Sequence, residues 1–163
     1  MLNRFLLFVA LAAIVACSKP QLVELETPEV ILTAEGPLFD GANTASGNWQ
    51  IDLAQRQIDP QSIQSARVKS IVISCDSVAD LSLLRDITFQ ITGEGVNMQR
   101  VAVLNPVPQG ASSLELVVAD EQEEIAALLK LPALTLVADV NFTGDRDENL
   151  VLKAKVVFEI ETN

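Results

Sequence analysis

The C-terminal stretch of this chain alternates apolar and polar side chains so regularly that it is hard to place in anything but a sheet. Leu134, Leu136, Ala138, Val140 and Phe142 are apolar, with Thr135, Asp139 and Asn141 between them. Leu150, Leu152, Ala154, Val156, Phe158 and Ile160 follow the same rule against Lys153, Lys155, Glu159 and Glu161. A period of two belongs to a β-strand with one dry and one wet face, the antiparallel pattern. Residues 144–148 (GDRDE) read as a turn. Strands 133–143 and 149–161 are therefore predicted to pair as a hairpin with even-numbered residues inward. Thr143 opposite Asn149 would set Asp139 against Lys153, and a tighter register would set it against Lys155. Parity is specified and register is left open.

Weaker alternation recurs upstream. Residues 68–75 place Ile71, Ile73 and Cys75 on one face, and Ile87, Phe89 and Ile91 form another set. After the turn at 93–95, Val101 and Val103 are expected inward, and Leu114, Leu116 and Val118 supply the next strand. Residues 23–34 are one strand or two broken at Pro28, and Trp49, Ile51 and Leu53 alternate in a further candidate. Period two fails at 120–131 (DEQEEIAALLKL), where Ile125, Leu128 and Leu129 have helical spacing. There Asp120 would be the N-cap and Glu123 the third helical position. Residues 77–84 are compatible with another helical turn. About eight strands with turn signals every 8–12 residues predict an all-β fold. The expected form is an antiparallel β-sandwich, jelly-roll or immunoglobulin-like, with one short helix, over residues 23–163. A chain of that size buries a core without disulfides.

The N-terminus has another logic. Arg4 precedes an apolar run over 5–16, too short for the roughly 20 residues that span a bilayer and suited to a signal-peptide h-region. The run ends in Ile14, Val15, Ala16 and Cys17. This quartet resembles the lipobox of bacterial lipoproteins. The resemblance implies a signal peptide over 1–16, cleavage before Cys17, acylation of Cys17 and a lipidated tether over 17–22. Each buried CH₂ contributes about 0.8 kcal/mol, and one myristoyl-length chain binds only marginally, so two or three acyl chains are needed to hold the protein at a membrane. Ser18, where the enterobacterial retention rule has Asp, implies the outer membrane, with the periplasmic or surface face left open.

Composition narrows the chemistry. The chain has 22 Asp and Glu against 11 Lys and Arg and no His, for a net charge of −11. Loss of Arg4 with the leader makes the remainder one charge more acidic. Such a surface suits neither nucleic-acid phosphates nor anionic headgroups. Without His there is no Ser-His-Asp or Cys-His arrangement and no imidazole metal ligand. Cys75, the one thiol after Cys17, adjoins Asp76, which has the wrong sign to activate it. Asp145, Asp147, Glu148 and Asn149 carry oxygen ligands but lack the spacing of a calcium loop, so they read as a solvated turn. No metal or cofactor is expected.

The segment 36–49 (GPLFDGANTASGNW) is rich in Gly, Asn, Ser and Thr and reads as a loop. Phe39 and Trp49 could make one ligand contact point there, although Trp49 equally suits a core strand. The GPLFDGANT portion, with the strand pattern over 23–163, loosely resembles small β-sandwich lipoproteins of Bacteroidota-type bacteria, which bring no assigned activity. The expected function is thus a lipid-anchored, non-enzymatic accessory, adaptor or binding module of the cell envelope. Its partners would be the membrane through the lipid, and an envelope protein or polysaccharide. The alternatives are a glycan-binding module using 36–49 and a carbohydrate-processing hydrolase using Asp/Glu pairs.

Overall fold

A computed structural model describes residues 20–123 and 125–163. The leader over 1–16 and residues 17–19 of the tether, Cys17 included, therefore lie outside the described residues. Ten strands are present among the described residues: β1 (Gln21–Glu26), β2 (Val30–Ala34), β3 (Gly41–Gln50), β4 (Ile63–Ser74), β5 (Leu84–Gly93), β6 (Val96–Leu104), β7 (Ser113–Glu115), β8 (Val117–Val118), β9 (Ala133–Phe142) and β10 (Leu150–Thr162). Two short helices join them, α1 (Val78–Ser82) and α2 (Ile125–Leu129). The fold is all-β and antiparallel. It departs from the expected sandwich of about eight strands and one helix. The strands form one path, β7-β4-β10-β2-β3-β9-β5-β6-β8, with β1 as a further partner of β10, and the sheet is nearly barrel-shaped.

One short segment brings the two ends of this path together. β7 pairs with β4, Leu114 opposite Ile73, and the Leu116 N–H donates to the Ile71 carbonyl at 3.0 Å. The next residues turn to the other edge, with Val117 opposite Val103 and the Ala119 N–H donating to the Val101 carbonyl at 2.8 Å. Beyond this seam Gln122 covers the edge of β4. Its Oε1 accepts from the Val68 N–H at 2.6 Å, and its Nε2 donates to the carbonyls of Val68 at 3.2 Å and Ala119 at 2.8 Å. The amide thus completes a rung that no strand supplies. This bond accounts for a difference in the helix. Residues 121–123 are not helical and α2 begins at Ile125, so Asp120 does not cap it. Ile125, Leu128 and Leu129 are buried, as their spacing predicts.

The expected C-terminal hairpin does not form. β9 lies between β3 and β5, and β10 between β4 on one side and β1 and β2 on the other. The β2–β3 pair is inserted between the last two strands, and Leu38 bridges Arg146 where the two connections meet. Facing is nevertheless as the alternation predicts: the even-numbered residues 134–142 and 150–162 are all buried. On β6 the register shifts between Phe89 and Gln90 of its partner, so Val101 and Ala102 are both buried and Val103 turns outward. A β-bulge has this effect, an extra residue that resets the alternation.

The reading of 36–49 as a loop is also corrected. Residues 41–50 form β3, paired with β9 along its whole length. Its small residues permit a close approach. A Cβ on Gly47 would stand 2.0 Å from the Ile31 carbonyl oxygen, so only Gly fits there.

Candidate functional site

The strand registers define two ends of the molecule. One holds Gln21, Gln50, Ile63 and Thr162. The opposite end holds Ala34, Gly41, Ser74, Phe142 and Leu150. Phe39 sits on the connection 35–40 at the opposite end, 62% exposed, while Trp49 is at the first end, buried and stacked on Phe158 with ring centroids 5.7 Å apart. From Gly41 to Trp49, at about 3.3 Å per residue, β3 separates the two by about 26 Å. The structure therefore does not bring these rings together.

The connection that carries Phe39 is tied down by polar side chains. Asn149 Oδ1 accepts from the Gly36 N–H at 2.8 Å, Asp145 Oδ1 accepts from the Asp40 N–H at 2.8 Å, and Asn43 Nδ2 donates to the Phe39 carbonyl at 2.8 Å. Arg146, whose side chain is only 10% exposed, pairs with Asp80 at 3.0 Å and donates to the carbonyls of Glu148 and Asn149. Oxygens of the 145–149 segment thus hold two loops together. Among the described residues no group of three or more His, Cys, Asp or Glu is placed to hold a metal ion.

Cys75 follows β4 at the same end. Its thiol donates to the Val151 carbonyl at 3.2 Å and lies 3.6 Å from Asp80 Oδ2. Burial pushes the thiol above its ordinary pKa, and the Asp80 carboxylate adds to that shift while the Ser77 N–H opposes it. This environment disfavours the thiolate, the nucleophilic form. Nearby, Lys153 donates to Asp76 at 2.6 Å, and that hydrogen bond raises the pKa of the ammonium.

Concave surface is shallow. Gln90, Arg100, Asp120, Glu121 and Glu123 line an open groove of about 690 Å³ beside the seam. A second groove of about 420 Å³ lies at the first end, where Leu25, Glu26 and Pro28 face Trp49, Asp52 and Arg56.

The strand that borders this second groove is the feature sequence reasoning missed. The Thr27 N–H donates to the Val156 carbonyl at 2.9 Å. In an antiparallel pair the bonded residues alternate, so Leu25, Val23 and Gln21 continue that ladder with Phe158, Ile160 and Thr162. Leu22, Glu24 and Glu26 then direct their N–H and C=O groups away from β10. β10 is the strand with which β1 is paired, and no described residue bonds those groups. Which strand becomes an edge depends on the whole topology, so no local signal could have announced it. Compared with protein-family models, curated proteins and solved structures, the chain matches none.

Proposed function

We propose that this chain is a lipid-anchored cell-envelope protein, a non-enzymatic accessory or binding module held at the outer membrane by acylated Cys17. The observation that carries the reading is the quartet Ile14, Val15, Ala16 and Cys17 closing an apolar run behind Arg4. The reading has a geometric consequence. β1 starts at Gln21, four residues after Cys17, and a chain reaches at most about 3.5 Å per residue, so the first end would lie within about 14 Å of the lipid. The absence of His from the whole sequence, the raised thiol pKa of Cys75 and the open character of the grooves favour binding over catalysis.

Metabolic labelling with an alkyne fatty acid tests the anchor. The full chain expressed in a Gram-negative host should incorporate label and partition with membranes, and Cys17→Ala should do neither while keeping the same far-UV circular dichroism. Label retained in Cys17→Ala would overturn the reading.

A further inference from the structure

We propose that the free edge of β1 is a strand-addition site for an extended, basic segment of another envelope protein. The proposal deepens the binding-module reading and rests on it for the partner's location.

Leu22, Glu24 and Glu26 present their N–H and C=O groups to one side in the extended conformation of a paired strand. Three such residues at alternate positions are the template that an added strand completes. Elsewhere the chain covers comparable edges. β7 and Leu116 pair with Ile73 and Ile71, and the Gln122 amide pairs with Val68. Among the described residues β1 has no such cover, its pairing with β10 contains no bulge, and it carries neither Lys nor Pro, so only the charges of Glu24 and Glu26 blunt the edge.

Charge selects the occupant. The side chains beside the open groups are Leu22, 66% exposed, Glu24, whose carboxylate already pairs with Lys69 of β4, and Glu26, which makes no ion pair among the described residues. A second copy of the chain is a poor match in the register that uses all three open residues. Antiparallel self-pairing centred on Glu24 sets two Glu24 carboxylates face to face, and a centre between Glu24 and Glu26 sets them against each other twice. Like charges directly opposite destabilise a sheet pair. A guest with Lys or Arg at alternate positions meets the Glu26 carboxylate on a chain of net charge −11, and its other face continues the apolar side that Val23 and Leu25 present inward. Past Glu26 the groove between Pro28 and Trp49 receives the end of the guest. Proximity of Gln21 to Cys17 in sequence puts this edge next to the membrane, within reach of a partner embedded there.

The test uses the full lipidated chain in detergent micelles and two acetylated heptapeptides, one alternating Lys and Val, the other Glu and Val. Amide hydrogen exchange is followed with and without each peptide. The Lys peptide should slow exchange at Leu22, Glu24 and Glu26 at least tenfold, and the Glu peptide should bind at least tenfold more weakly at about 0.1 M salt, where charge pairing still acts. Glu24→Pro removes one outward N–H without touching the ladder to β10 and should weaken Lys-peptide binding at least tenfold. Slow exchange at Val23 and Leu25 in that variant shows that β1 remains docked. Should Glu24→Pro fail to fold, the exchange map of the unaltered protein still decides. Equal binding of both peptides, protection outside β1, or slow exchange at the three amides without peptide would overturn the proposal. So would protection that grows with protein concentration alone, which would identify a second copy as the occupant. Fatty-acid labelling of Cys17 is indifferent to all these outcomes, so failure of the edge and failure of the anchor are told apart.

Discussion

Thr27 pairs with Val156 twice, once through its main chain and once through its side chain. Its N–H donates to the Val156 carbonyl at 2.9 Å, and its Oγ1 accepts from the Val156 N–H at 3.1 Å. The hydroxyl stands in for a main-chain acceptor where the chain leaves β1 and Pro28 interrupts the ladder before β2. The residue is 3% exposed, so no water replaces the bond. Thr27→Val keeps the shape and strands a buried N–H, which costs about 1–3 kcal/mol. Thr27→Ser keeps the acceptor and should lose clearly less. Urea unfolding of the two variants gives the comparison, and equal losses would mean that the methyl group, not the hydroxyl, carries the contact.

The stack of Phe158 on Trp49 joins β10 to β3 across the interior. Phe158 is fully buried, so Phe158→Ala should cost about 3–5 kcal/mol, a large part of a domain stability of about 5–15 kcal/mol. Its neighbour Glu159 lies on the other face and pairs with Arg67, the two side chains being 15% and 65% exposed. A pair with one partner in solvent is worth about 0–1 kcal/mol, and Glu159 also lies opposite the like-charged Glu24, so Glu159→Ala should stay within that range. Denaturation followed by Trp49 fluorescence reads both, and Phe158→Ala should also alter the native emission spectrum. Comparable losses would mean that β10 is covered on both faces.

Cys75 should make stability depend on pH on the alkaline side. Its thiol is raised in the folded protein, mainly by burial, and ionises at its ordinary value, about 8.5, when unfolded. The unfolded chain then releases a proton that the folded chain retains. The contribution is fully present below the unfolded pKa and is lost as pH rises from there through the folded value. Alkylation of native Cys75 by iodoacetamide should accordingly be slower than that of a peptide thiol at pH 8.5 and still be rising at higher pH. Cys75→Ala should flatten the alkaline loss of stability. An alkylation rate equal to the peptide's would remove the basis for both expectations.

Side-chain facing was legible in the sequence because it is a local property. In both late strands the even-numbered residues point inward whatever the neighbours are, and the period of two is written in Leu134 to Phe142 and Leu150 to Ile160. The apolar spacing of Ile125, Leu128 and Leu129 was legible for the same reason, and of the two readings left open for 23–34 the structure has the one broken at Pro28. Partner choice was not. Asp139 was expected opposite Lys153 or Lys155, yet it accepts from Thr44 Oγ1 and Gln90 Nε2, while Lys153 pairs with Asp76. The same parity is compatible with many neighbours, and only the insertion of β2 and β3 between β9 and β10 selects among them. The composition of β3 speaks for a loop. Its strand conformation follows from ten residues of pairing with β9 and from the absence of a Cβ at Gly47, where the Ile31 carbonyl comes close. Of the candidate sites, Cys17 rests on a targeting motif read in linear order and lies outside the described residues. The separation of Phe39 from Trp49 and the open edge of β1 were decided by the tertiary structure. An edge is defined by the strand that is missing beside it, and that depends on where every other strand has gone.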